Sequence, residues 1–325
     1  MTPTVGIGII NRDRRDLLLR CLESLVATDW PHEIVVVDNG SSDGSVAAVR
    51  DRHPSIRVVD AGTNLGFAGG ANAALRELRR LPYAALLNND TVVEPGWLGP
   101  LVEALEADPG LGAAAPKIVF DGRSPRVINN AGSMLVEGGY GADRGLNEVD
   151  DGQYDEPEDV FAWCGAAVLL RRSYLDDVGD LDERLFLYYE DFDLAWRGQA
   201  LGWRYRYVPA SVIRHAHTAS TVEGSALFEY YVERNRLLVH AKNAPAGYAA
   251  RVALSGLWTA LVIFRRQVVR RALSGKRPDM TLARRRFRSF AAFLALLPAF
   301  LVTRIRLRRR QRRPYKELMK WLVPL

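Results

Sequence analysis

Over its first ninety residues the chain alternates short apolar runs with amphipathic stretches. Residues 4–10 read as a strand, 14–27 as an amphipathic helix, and 33–38, centred on Ile34-Val35-Val36-Val37, as a buried strand. A helix follows at 45–52, an extended segment at 56–60, a helix at 69–80 and a short apolar strand at 83–87. This alternation with short connections predicts an α/β fold, a mostly parallel central sheet covered by helices. Ligands of such sheets bind beyond the carboxyl ends of the strands. Polar clusters fall at those ends: Asn39-Gly40-Ser41-Ser42-Asp43 after one strand and Asn88-Asn89-Asp90 after another.

The later pattern is less regular. Residues 143–159 hold eight carboxylates with two glycines and a proline, and read as a mobile surface loop. Residues 160–172 read as strand-like, 190–200 as a helix, 204–208 as a strand and 228–241 as a helix. After Pro245 the composition changes to apolar blocks separated by arginines. The predicted division is therefore a catalytic domain at 1–245 and a basic, apolar helical region at 246–325.

Composition sharpens this picture in two places. Cys21 and Cys164 are too few for a disulfide framework and sit in apolar surroundings, as reduced thiols of a cytosolic protein would. The first apolar run is strand-length and leads into Asn11-Arg12-Asp13-Arg14-Arg15, so it does not read as a cleavable signal. The net charge of +6 conceals an asymmetry. Residues 251–325 carry 20 Lys and Arg against Asp279 and Glu317, or +18, leaving 24 basic and 36 acidic residues, or −12, in the first 250. A basic tail on an acidic body points to an anionic surface as partner.

Three clusters could carry chemistry. In Val37-Asp38-Asn39-Gly40-Ser41-Ser42-Asp43, a carboxylate at a strand end can accept hydrogen bonds from a pyrimidine imide or a ribose hydroxyl; a turn and helix cap would use the same residues. In Leu86-Leu87-Asn88-Asn89-Asp90-Thr91, Asp90 is placed to hold Mg²⁺ or Mn²⁺, which share their coordination with phosphates, although a turn would also suit it. In Phe186-Leu187-Tyr188-Tyr189-Glu190-Asp191-Phe192-Asp193, three carboxylates crowd among aromatic rings. A helix N-terminus would stabilise them, with Glu190 and Asp193 on one face and Asp191 on another. Like charges and apolar walls would also tune such a carboxylate for general-base duty. Arg171-Arg172 and Arg234-Asn235-Arg236 could neutralise a diphosphate or simply be solvated, and Trp163 could form an acceptor platform or lie in the core.

In order and spacing the chain resembles glycosyltransferase family 2, in particular its bacterial rhamnosyltransferase-like branch. The resemblance covers about residues 4–245 and rests on VVVDNGSSDGS (35–45), NLGFAGGAN (64–72), LLNNDT (86–91), CGAAVLLRR (164–172), LDERLFLYYEDFDLAWR (181–197), HAHTAS (215–220) and YYVERNRLLVHAKNAP (230–245). It implies a GT-A fold and inverting transfer from a nucleotide-diphosphate sugar, with dTDP-rhamnose favoured and UDP-galactofuranose or another hexose donor open. Asp38 is then similar to the base-binding carboxylate. Asn11, Asn64, Gly66 with Gly69 and Gly70, Asn72 and Asn89 line the nucleotide. Asp90 stands at the last position of the metal-binding DxD motif, with Asn88 where many members have Asp. His215, in competition with His217, is a further ligand for Mg²⁺ or Mn²⁺. Asp191 is the implied base, Glu190 its backup and Asp193 a support. Trp163, Gly165, Arg172 and Arg234 fall on the acceptor or phosphate side.

The tail contains apolar runs of 12 and 14 residues, at 253–264 and 290–303, flanked by arginines and, in the second, interrupted by Pro298. A span needs about 20 residues. These runs therefore read as helices lying on an anionic leaflet at the cytoplasmic face of the cell membrane, peripheral or monotopic, beside a glycan or lipid-linked acceptor. A helical subdomain packed on the core, or a hairpin dipping into the bilayer, would give the same pattern. No recognised nucleic-acid motif is present. A sugar nucleotidyltransferase would need a glycine-rich basic loop after the first strand, where this chain has none. A non-catalytic membrane-bound scaffold is the remaining reading of another class.

Overall fold

Seven elements alternate at the start of the chain: β1 (Val5–Asn11), α1 (Arg15–Val26), β2 (His32–Asp38), α2 (Ser45–Arg52), β3 (Arg57–Asp60), α3 (Gly66–Glu77) and β4 (Tyr83–Asn88). The structure is a computed structural model that describes residues 4–217 and 224–324. β1 pairs in parallel with both β2 and β4, and β2 with β3, as the alternating pattern predicts. Side-chain alternation sorts β2 between two cores: Val36 packs with α1, whereas Val35 and Val37 pack with Ala74 and Leu78 near α3. Helices thus cover both faces.

The remaining elements of this part are β5 (Thr91–Val93), α4 (Leu98–Ala107), β6 (Leu111–Phe120), β7 (Ile128–Asn130), β8 (Ser133–Val136), β9 (Tyr140–Asp143), β10 (Glu158–Val160), β11 (Ala167–Arg171), α5 (Arg172–Val178), α6 (Glu190–Ala200) and β12 (Arg204–His215). The main sheet runs β10-β12-β6-β11-β4-β1-β2-β3. β11 enters antiparallel between β4 and β6, and β6 pairs with β12 in parallel. Three features differ from the sequence pattern. Residues 160–172 are not one strand, because 161–166 leave the sheet between β10 and β11. β12 continues well past Val208, through a register shift, to reach His215. The acidic stretch 143–159 is held rather than loose. Buried Lys117 bonds Asp150 (2.9 Å) and Asp155 (2.5 Å), and Tyr207 donates to the Tyr154 carbonyl (3.0 Å). An excess of carboxylates signals a loop only until a buried lysine is found to hold two of them.

Within the described residues the chain forms two compact units, 4–135 with 141–217 and 136–140 with 224–324. The composition change at 246 and this division fall at different places, because α7 (Ala226–Asn243) belongs with the C-terminal helices. Those helices are α8 (Ala246–Phe264), which continues through a π-helical turn into α9 (Arg270–Leu273), and α10 (Thr281–Arg310). They extend beyond the apolar runs seen in the sequence because arginine is a good helix former and does not end them. By length and composition, 246–273 and 281–310 are each sufficient to cross a membrane, contrary to the expectation from the apolar runs alone. Leu254, Trp258 and Leu261 form an exposed stripe on α8, and Leu294, Leu301, Val302 and Ile305 one on α10.

Candidate active site

The carboxyl ends of β1, β2 and β4 bring three sequence-distant clusters together. Asn89 donates to Asn11 Oδ1 (2.7 Å), and Asn11 donates to Asp38 Oδ1 (3.4 Å) and Ser41 Oγ (3.2 Å). Asp38 also accepts from the Ser41 amide (2.8 Å) and hydroxyl (2.5 Å). Its carboxylate therefore serves the turn that was the alternative reading of this segment, and it stands at the crest where a ligand of such a sheet binds.

The loop after β3 is shaped by close approach. Asn64 Oδ1 accepts from the Gly66 amide (2.9 Å), and Gly66 has φ +71°. A Cβ there would lie 2.3 Å from the carbonyl oxygen of Phe186, so glycine alone lets the 64–70 segment meet the segment leading into α6. Asn72 lies elsewhere than its sequence assignment implies. It is buried and holds the 181–183 segment through Leu181 O (3.0 Å), Glu183 Oε1 (3.0 Å) and the Leu181 amide (3.0 Å), so both amide hydrogens and its oxygen are spent inside the fold.

Asp90 and His215 meet because β12 pairs with β5, His215 opposite Thr91. His215 Nε2 lies 3.1 Å from Asp90 Oδ1, with the side chains only 8 % and 9 % exposed. The other ring nitrogen, Nδ1, is 2.8 Å from Asn129 Oδ1. With Nδ1 donating to that amide oxygen, Nε2 is the ring nitrogen placed beside the carboxylate to share an ion with it. One carboxylate oxygen and one imidazole nitrogen suit Mn²⁺ or Mg²⁺ completed by phosphate oxygens. Among the described residues no group of three or more His, Cys, Asp and Glu forms a metal cage. Cys21 is no thiolate competitor, since burial pushes its thiol up to about 12. Asn129 was not singled out in the sequence; the Ile128-Asn129-Asn130 triplet on a buried strand was the available signal. His217 packs edge-on to His215, ring centroids 5.4 Å apart. Thr218 to Ser220 of the HAHTAS segment lie outside the described residues.

The acidic cluster separates into three environments. Asp193 is fully buried and paired with Arg197 (2.9 Å), whose other nitrogens bond the carbonyls of Val178 (2.8 Å) and Asp180 (2.7 Å). Glu190 is 5 % exposed with no hydrogen-bond partner on Oε2. Burial first, and Asp191 second, raise its carboxyl well above the usual range. Asp191 accepts from the amides of Gly165 (2.8 Å) and Phe192 (2.7 Å). Burial raises its carboxyl to about 6, those two amides lower it, and Asp143 raises it further. Phe186, Tyr188 and Tyr189 all have φ near +70° just before this helix, backbone strain of the kind that collects at functional sites. A Cβ on Gly165 would stand 3.0 Å from Asp191 Oδ2, so the 161–166 excursion delivers an amide that a larger residue would hold off.

Two candidates are corrected here. Trp163 is 0 % exposed and belongs to the core, not to an acceptor platform. Arg172 stands at the opposite end of the sheet. β11 runs antiparallel to β4, placing Ala167 beside Leu87 near the crest and Arg171 beside Tyr83 at the far edge. Arg171 there bonds the carbonyls of Leu105, Asp108 (3.2 Å) and Leu111 (2.8 Å). Arg234 belongs to the second unit, on α7, with its Nε donating to Asn235 Oδ1 (2.8 Å).

A half-parallel sheet with a polar crest and a paired carboxylate and histidine at its edge is the architecture of GT-A sugar transferases. The chain belongs to glycosyl transferase family 2, whose model matches residues 4–179. It is a glycosyltransferase that uses a nucleotide sugar, of the bacterial rhamnosyltransferase-like kind. It is 30% identical over 245 residues to N-acetylglucosaminyl-diphospho-decaprenol L-rhamnosyltransferase of Mycobacterium tuberculosis (strain H37Rv), covering 68% of this chain and 78% of the relative. Among solved structures it is similar to GalNAc-T7 with UDP, GalNAc and Mn²⁺ (TM-score 0.63, 15% identity, 93% of this chain and 58% of that one). It is also similar to the mannosyltransferase PcManGT of Pyrobaculum calidifontis in complex with GDP-Man and Mn²⁺ (TM-score 0.54, 20% identity, 95% and 86%).

Proposed function

We propose that this enzyme transfers rhamnose from dTDP-rhamnose, with inversion, to a hydroxyl of a lipid-linked cell-envelope glycan. The observation that carries the chemistry is the Asp191 carboxylate, held by two backbone amides and basic enough, near 6, to accept a proton while ionised at neutral pH. Asp191 takes the proton of the acceptor hydroxyl as its oxygen forms a bond to the anomeric carbon. The bond from that carbon to the diphosphate breaks on the opposite face, and its electron pair leaves with the nucleoside diphosphate. Glu190, whose carboxyl burial and Asp191 push well above the usual range, is the backup base, and Asp193 braces α6 through Arg197.

Asn11, Asp38, Asn64, Gly66 and Asn89 form the nucleotide side. Asp90 and His215 would hold a divalent ion, Mn²⁺ or Mg²⁺, which when bound supplies positive charge against that developing on the diphosphate. Asn129 fixes the His215 tautomer. Asn129→Ala should therefore weaken Mn²⁺ affinity about 10–100-fold, read from the Mn²⁺ dependence of turnover; unchanged dependence would remove His215 from the ligand set.

The named activity of the mycobacterial relative supports both the rhamnosyl donor and the lipid-diphosphate acceptor. The exposed apolar stripes of α8 and α10, among 20 basic residues, support attachment to the cytoplasmic leaflet as a peripheral or monotopic enzyme. Nucleoside diphosphate release is the test, run over dTDP-rhamnose, UDP-galactofuranose and hexose donors with and without Mn²⁺. Acceptor-dependent release of dTDP is expected. Release of UDP alone would reassign the donor, and binding without any release would make the chain a scaffold.

A further inference from the structure

The second unit contains a charge cluster that the transfer chemistry leaves unused. Glu229, Tyr230, Tyr231, Glu233, Arg234 and Arg236 occupy successive turns of α7, and Arg285, Arg286 and Arg288 lie near the start of α10. The two helices run parallel. Arg285 pairs with Glu229 (3.3 Å) and Arg286 with Glu233, while Arg304 reaches the carbonyl of Ala241 (2.8 Å) further along. Glu233 is already shared with Arg236 (3.0 Å). Among the described residues, Arg285, Arg286 and Arg288 of α10 thus meet two carboxylates, one of them already shared. Arg234 and Arg288, from different helices, stand 5.4 and 5.1 Å from the centroid of the same Tyr230 ring. Arg286 Nε is buried without an acceptor, and Arg288 is exposed and makes no ion pair among the described residues.

Like charges gathered this closely repel unless an anion joins them, and the planar guanidinium fork matches phosphate oxygens in pairs. Position narrows the choice of anion. Arg288 is two residues before the apolar run 290–303, and that run carries the exposed stripe of α10. With the stripe in lipid, the arginines stand at the depth of the headgroup phosphates. We propose that the α7–α10 arginine cluster binds the diphosphate of a membrane-borne lipid. This rests on the reading of the acceptor as lipid-linked, and gives that lipid its phosphate-recognising residues: Arg286 and Arg288, with Arg234 beside Tyr230.

The test measures co-sedimentation of the full chain, without donor nucleotide, with three vesicle types. These are phosphatidylcholine alone, phosphatidylcholine with a few mole per cent polyisoprenyl diphosphate, and phosphatidylcholine with phosphatidylglycerol at matched charge. The wild type should prefer the diphosphate vesicles to both others. Arg288→Gln and Arg286→Gln should each weaken that binding by about fivefold, the worth of one basic residue at an anionic surface. Binding to phosphatidylcholine alone should be unchanged, as should all binding by Arg50→Gln, an exposed control in the first unit. Because Arg288 is exposed, its variant is tested without a folding defect even if Arg286→Gln unfolds. Equal binding of the variants to diphosphate vesicles would overturn the proposal. So would the same arginine-dependent gain on phosphatidylglycerol, since diffuse charge would then account for it. Loss of transfer activity would leave these outcomes untouched, so the two readings fail separately.

Discussion

Asp191→Asn should lower kcat by about 10²–10⁴-fold, the contribution of a positioned base, with nucleotide-sugar affinity retained. The two amides bind different carboxylate oxygens, the Gly165 amide Oδ2 and the Phe192 amide Oδ1, so the single Asn oxygen keeps one of these bonds while its NH2 group faces the other donor. In the wild type kcat should rise with pH through about 6 and then level, because the base acts only when ionised. The variant should lose that limb. Stability gives a second readout with the opposite benefit. The folded carboxyl titrates near 6 and the unfolded one near 3.8, so the folded state holds the proton more tightly and its stability falls as pH rises through that window. Relative to the non-titrating Asp191→Asn variant, the wild type should lose melting temperature as pH rises from 4 to 8. A variant with near wild-type turnover and intact nucleotide binding would remove Asp191 from the mechanism.

The second large effect is expected at the crest. Asp90→Asn, or chelation of divalent ions, should reduce turnover by about 10²–10³-fold, since a Lewis-acid contribution of several kcal/mol is lost and each 1.4 kcal/mol is tenfold. Added Mn²⁺ should restore chelated wild type and should restore the variant only partly, because His215 remains. Full activity after chelation would place the leaving-group charge on protein donors instead, with the nearby amide-bearing residues Asn11 and Asn89 first in line.

Much of the first half was legible because its periodicities are local. The helix at Ser45–Arg52 and the helix at Glu190–Ala200 lie where the residue pattern puts them, and the parallel β1, β2, β3 and β4 follow from short apolar runs joined by helices. The miscarried readings share one cause: each depended on what faces a residue across the fold. Arg172 sits in the same short motif as Gly165, yet antiparallel entry of β11 carries it to the other end of the sheet. Asn72 reads as a polar residue in a glycine-rich nucleotide loop, but Leu181 and Glu183 use all its hydrogen-bonding groups. The carboxylates of 143–159 read as a loop until Lys117 appears beneath them.

The Glu190-Asp191-Phe192-Asp193 cluster shows the same division most sharply. Sequence alone determined that three carboxylates stand at a helix start among aromatic side chains, and that Asp191 faces away from its neighbours, because 3.6 residues make a turn. It determined the family, since the order and spacing of the motifs are properties of the chain. Only the tertiary structure decided which carboxylate is which. Arg197 pairs with Asp193, burial without a partner on Oε2 raises the Glu190 carboxyl, and the Gly165 amide, reached from a segment 26 residues away, holds Asp191. A pKa depends on dielectric and on partners that fold in from elsewhere, and those are quantities no local pattern contains.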